Sequence, residues 1–209
     1  MIMKEYLNKI ICADSLEIMK QLPDNSIDLV LTDPPYGINI TKSQRLVKER
    51  WLDCSEWDKE IPPKEFFDEM IRISKNQIIW GWNYFLDYLW NTRCFLIWDK
   101  NNSGRDFADC EMAWTNVDAV ARIHKERPQN MDWYKKLHPT QKPKQLFNWC
   151  LENYSEPWDI ILDCFWGSWT TAVSCIEKWR QYIVIEKEPK YCEIAERRTR
   201  NTTLPLFTI

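Results

Sequence analysis

The chain has 209 residues, 44% of them hydrophobic and 28% charged, and carries a net charge of −3. That length suits one well-buried domain, and the balance is that of a soluble globular protein, not of a disordered or fibrous one. No run of about 18 apolar residues occurs, so no membrane span is expected. The opening MIMKEYLNKIICADS lacks the apolar core and cleavage site of a secretion signal, so a cytoplasmic location is expected.

In chain order, apolar runs bounded by polar residues predict strands over Lys9–Cys12, Ile27–Thr32, Gln77–Gly81, Cys94–Trp98, Ala119–Ile123, Ile160–Cys164 and Tyr182–Glu186. Helices are predicted between them. Ser15–Gln21 follows an Asp14 cap, Pro63–Ser74 begins with a proline, Lys144–Asn153 follows Pro143, and Thr170–Lys178 and Pro189–Arg198 complete the set. Strands alternating with helices imply an α/β fold, a single mixed but mostly parallel sheet with helices on both faces. Ligands of such sheets bind beyond the carboxyl ends of the strands, which singles out Asp33 and Asp163. The stretches 38–60 and 101–136 read as long polar loops of the kind that recognise substrates.

The eight cysteines contain no C-x-x-C pair and only two histidines accompany them, so buried free thiols are expected and no metal site. Basic residues cluster locally. Seven Lys/Arg lie between Arg122 and Lys144 against Glu126 and Asp132, and a second group is Lys42, Arg45, Lys48 and Arg50. These are either solvated loops or phosphate contacts.

The string IDLVLTDPPYG, residues 27–37, ends a strand with a carboxylate, two prolines and an aromatic. As a plain turn it would be unremarkable. Two successive prolines, however, fix their φ angles and remove two amide donors, so acceptors are held rigidly beside a π surface. An exocyclic amine on a flat ring fits that arrangement.

The string is similar to the D-P-P-Y motif of adenine-N6 DNA methyltransferases. The resemblance implies that the Asp33 side chain and the Pro34 carbonyl accept from the amine, with Pro35 stiffening the turn and Tyr36 stacking on a flipped-out base. It implies direct in-line transfer from S-adenosylmethionine (SAM), without a covalent enzyme intermediate. The string DIILDCFWGSWTTAVSC, residues 159–175, resembles the family's SAM loop. On that likeness Asp163 faces the methionine ammonium, Phe165 lines the pocket, and Gly167, Ser168 and Thr170 form the turn around the cofactor. Glu186 would take the ribose hydroxyls and Asp14 the adenine ring. HPTQKP, residues 138–143, would bring Lys142 to the cofactor side. The order of these segments is that of the permuted β-type group, with DPPY before the SAM loop. The whole chain is then one Rossmann-like catalytic domain, with 38–60 and 101–136 as target-recognition loops.

Double-stranded DNA is the partner so implied, in site-specific methylation of the restriction–modification kind, and a homodimer is left open. Cytosine-N4 transfer is the nearest rival, although those enzymes more often carry Ser before Pro-Pro. A non-catalytic DNA-binding relative is another.

That rival exists because the sequence departs from the family where glycine is expected. Trp169 stands in the SAM loop, Trp158 in PWD, Trp179 in KWR and Trp82 in WGWNYF, in a chain with only 4 glycines and 13 tryptophans. Overpacking a filled site costs about 1–3 kcal/mol. Three accounts fit: an impaired enzyme, a loop re-formed around Trp169, or a gene that reads UGA as glycine but is translated with UGA as tryptophan.

Overall fold

The computed structural model describes residues 2–39, 58–104, 108–128, 142–165, 170–200 and 202. After a short helix α1 (Ile2–Tyr6), the elements are β1 (Lys9–Cys12), α2 (Ser15–Met19), β2 (Ile27–Thr32), α3 (Lys64–Ile73) and β3 (Ser74–Trp80). A 3-10 turn at Trp82–Tyr84 leads to β4 (Phe95–Asp99), β5 (Cys110–Thr115) and β6 (Arg122–Lys125). The chain continues through α4 (Lys144–Tyr154), β7 (Ile160–Asp163), α5 (Thr170–Glu177), β8 (Gln181–Glu186) and α6 (Pro189–Arg200).

The strands form one sheet in the order β1-β8-β7-β2-β3-β5-β4-β6. Pairing is parallel except that β5 runs against both β3 and β4. The expected α/β architecture is therefore the observed one. Inner strand β2, IDLVLT, is buried almost throughout because helices cover both faces, which is why it reads as a continuous apolar run. Leu29 and Leu31 pack with Phe147, Cys150 and Ala172 of α4 and α5. Val30 packs on the opposite face with Ile18, Phe67 and Met70 of α2 and α3. Full burial of a Val, Leu, Phe or Met side chain among them contributes about 1.5–3 kcal/mol of transfer free energy.

Two differences from the sequence reading concern strands. β5 lies inside the stretch 101–136 taken as a loop, and CEMAWT gives no long apolar run to mark it. β6 begins at Arg122, three residues after the expected start, and its RIHK is mostly exposed because it forms the sheet edge. Most of the loop 38–60, with the cluster Lys42–Arg50, and residues 129–136 of the second loop lie outside the described residues. No helix among the described residues is long and apolar enough to cross a membrane.

The parallel run β1, β8, β7, β2, β3 places five strand ends along one edge. Cys12, Glu186, Asp163, Thr32 and Trp80 end these strands. Both sequence motifs are therefore delivered to the same side of the sheet.

Candidate active site

β2 and β7 are neighbours, so segments over a hundred residues apart meet at their carboxyl ends. The Thr32 hydroxyl donates to Asp163 Oδ1 at 2.7 Å, and the Thr171 hydroxyl donates to Oδ2 at 2.6 Å. The Phe165 amide lies 3.4 Å from Oδ1. Asp163 is almost wholly buried. Burial pushes its carboxyl up to about 6, against the lowering effect of the two hydroxyls and the amide.

Asp33 follows β2 directly. Its Oδ1 accepts from the Tyr36 hydroxyl at 2.5 Å, and its Oδ2 accepts from Lys142 Nζ at 2.5 Å. Lys142 is 3% exposed and also reaches Glu111 at 2.9 Å and the Tyr36 hydroxyl at 3.0 Å. Glu111 accepts in turn from Lys100 at 2.6 Å. The result is an alternating chain of charges, Lys100, Glu111, Lys142, Asp33. Alternation matters because a buried charge without a partner costs several kcal/mol, on the order of 3–5 when one partner is removed.

The electrostatics follow from that order. Burial raises Asp33 above the usual carboxylate range while Lys142 opposes it. Burial also pushes Glu111 upward, but Lys142 and Lys100 outweigh it and hold the carboxyl down at about 2. Burial alone would lower Lys142, yet Asp33 and Glu111 raise it. Burial and both carboxylates push the Tyr36 phenol well above its ordinary value, so it stays a hydroxyl donor at neutral pH.

The turn is fixed from two sides. The Tyr36 and Gly37 amides both donate to Asp58 Oδ1, at 2.9 and 3.0 Å. The Tyr36 ring stacks on Tyr84, with centroids 4.7 Å apart and planes 14° from parallel. Gly81 allows this approach, since a Cβ there would lie 2.1 Å from the Tyr36 ring and its φ is +82°. Pro34 is buried in the turn, and Pro35 is partly so.

The remaining expected residues fall as follows. Glu186 ends β8, next to β7, and burial raises its carboxyl to about 7 although the Glu188 and Lys187 amides pull it down. Asp14 caps α2 by accepting from the Leu16 amide at 3.0 Å, beside β1 whose next residue, Ala13, bonds the Glu186 carbonyl. Phe165 faces Phe66, with ring centroids 5.2 Å apart. Thr170 opens α5, buried, its hydroxyl 3.5 Å from the Lys142 carbonyl. Gly167, Ser168 and Trp169 lie outside the described residues. Lys142, expected on the cofactor side, has its ammonium on Asp33 instead. Glu111 and Asp58 were not foreseen. Their contacts cross between elements, and no local motif marks them.

Three comparisons bear on this geometry. A family model described as DNA methylase, of the N6/N4 type, matches residues 79–197. The chain is 28% identical over 94% of its length to the type II methyltransferase M.HinfI of Haemophilus influenzae, of which it covers 69%. It is 26% identical over 92% of its length to the putative methylase YubD of Escherichia coli K12, of which it covers 90%. Among solved structures, the M1.HpyAVI–SAM complex superposes with a TM-score of 0.61 at 24% identity, covering 91% of this chain and 98% of that one. The PvuII DNA methyltransferase, described as cytosine-N4-specific, gives 0.64 at 15% identity, covering 90% and 85%. These likenesses establish the same fold.

Proposed function

Because the chain belongs to the N6/N4 DNA methylase family, we propose that it methylates the N6 amine of adenine in double-stranded DNA, with SAM as donor. The observation that carries the reading is the Asp33-Pro34-Pro35-Tyr36 turn at the carboxyl end of β2, bonded through Thr32 to Asp163. An acceptor turn and a donor-side carboxylate therefore share one strand edge.

The residues present fit the cofactor. Asp163 and Glu186 are carboxyls at adjacent strand ends, both raised by burial. A cation beside Asp163 and hydroxyl donors of a diol beside Glu186 would each stabilise the ionised carboxylate against that burial. Bound there, SAM supplies a methyl group on a sulfonium. Asp33 and the Pro34 carbonyl would accept the two N–H groups of the target amine and so localise its lone pair for in-line attack, the sulfonium–methyl bond breaking as the N–methyl bond forms and the amine giving up one proton. Lys142 keeps Asp33 paired in its buried place. Tyr36 supplies the aromatic surface for a base out of the stack, its hydroxyl held by Asp33 and Glu111. Positioning and oriented charge do the work, and no covalent enzyme intermediate is required. Asp33, where N4 enzymes more often carry Ser, favours adenine.

Incubation of DNA with labelled SAM, followed by nucleoside mass analysis, tests the proposal. Label in N6-methyladenine is expected. Label in N4-methylcytosine would overturn the choice of base, and no label would overturn the activity.

A further inference from the structure

Glu111 lies on β5, outside both motifs, yet touches three groups of the acceptor site. It binds Lys142 Nζ at 2.9 Å and Lys100 Nζ at 2.6 Å, and its Oε2 lies 3.2 Å from the Tyr36 hydroxyl, whose one proton goes mainly to Asp33. Lys142 and Tyr36 are the same two groups that occupy the Asp33 oxygens. Resting on the reading that Asp33 accepts from the target amine, we propose that Glu111 is a positioning residue for methyl transfer. It fixes the ammonium and the phenol against Asp33, so that the carboxylate meets the amine in one orientation.

Displacement of reacting groups by roughly 1 Å can cost about 100-fold in rate. Glu111→Gln in the full chain is accordingly predicted to lower kcat about 10- to 100-fold, with the KM for SAM unchanged because the donor side rests on Asp163 and Glu186. Glu111→Asp is predicted to recover part of the loss, which a general packing defect would not allow. Wild-type kcat in Glu111→Gln overturns the proposal. So does a parallel loss of kcat and SAM affinity in both variants. Methyl transfer undiminished by Asp33→Ala, or absent from the unaltered chain, would instead remove the functional reading and this inference with it.

A separate observation concerns the backbone. The described residues with left-handed φ are Asn8, Asn25, Asn39 and Asn101, three glycines, and two tryptophans, Trp158 at +75° and Trp179 at +62°. Glycine and asparagine accept this conformation, whereas other side chains lose about 1–2 kcal/mol in it. Each tryptophan also occupies a position that favours glycine for its own reason. Trp158 is the third residue of the turn Glu156–Asp159, closed by the Asp159 amide on the Glu156 carbonyl at 3.2 Å with Pro157 second. That is a type II turn, which requires positive φ at its third residue.

Trp179 follows α5. The Arg180 amide reaches the Cys175 carbonyl at 2.8 Å, and the Trp179 amide reaches the Ile176 carbonyl at 3.4 Å. This pair of bonds defines the Schellman helix end, whose left-handed residue is usually glycine. Burial does not offset the strain at Trp158, which is 65% exposed.

With 13 tryptophans against 4 glycines in the chain, we infer that positions 158 and 179 are glycine in the protein as its own cell makes it. The gene would carry UGA at both, decoded there as glycine. Two measurements test this: the codons, and the masses of the peptides spanning both positions in protein isolated from its source. UGA codons with glycine masses are expected. UGG at either position, or tryptophan in either peptide, overturns the inference.

Discussion

Burial holds the Asp163 carboxyl at about 6 and the Glu186 carboxyl at about 7, and both values have consequences in solution. Unfolded carboxyls titrate near pH 4. Between there and the raised folded values, the unfolded chain releases protons that the folded chain retains. The stability of the ligand-free protein should therefore fall as pH rises from about 4 to about 7, measurable by denaturant unfolding at a series of pH values. Binding of a cation beside Asp163 requires the ionised form. SAM affinity is thus predicted to rise with pH through about 6, with proton release detectable by calorimetry in buffers of different ionisation enthalpy. Asp163→Asn should abolish that dependence, and an affinity flat in pH would refute the assignment. Gly81 offers a steric test. Gly81→Ala forces a methyl into the Tyr36 ring, and is predicted to reduce methyl transfer at least about 10-fold through displacement of the turn, without loss of SAM binding.

Elements differed in how far their residues revealed them. β2 and β8 were plain because inner parallel strands are apolar on both faces. β5 was hidden inside a polar stretch, and with it Glu111, whose role depends on antiparallel pairing with β3 and β4. Lys142 falls on the donor side only through the likeness of HPTQKP to a family segment that leads into a SAM-side helix. The fold instead turns its ammonium toward β2 and β5. Asp58 had no signal at all, since its partners Tyr36 and Gly37 lie 22 and 21 residues away. The DPPY turn itself was legible because its chemistry is contiguous. Asp58→Ala strips both amides of their acceptor, and is predicted to cost about 1–3 kcal/mol. Urea unfolding measures that loss, and an unchanged midpoint would show that the turn is held otherwise.

At the scale of the whole molecule, the parallel strands bring Asp163, Glu186 and the turn after β2 to one edge, while β6 closes the far side of the sheet. β6 exposes Arg122 and Lys125, part of the basic stretch read as either solvated surface or phosphate contact. Each phosphate contact contributes about 0.9 to the slope of log affinity against log salt. Arg122→Ala with Lys125→Ala is predicted to weaken DNA binding and lower that slope by about 2. An unaltered slope would leave the edge as solvated surface. The most direct measurement compares single-turnover transfer of labelled methyl from SAM to duplex DNA by the unaltered chain and by Asp33→Ala. Label in adenine from the unaltered chain, reduced about 100-fold or more in the variant with SAM affinity retained, is the predicted result. Equal transfer by the two chains, or label on cytosine, would contradict it.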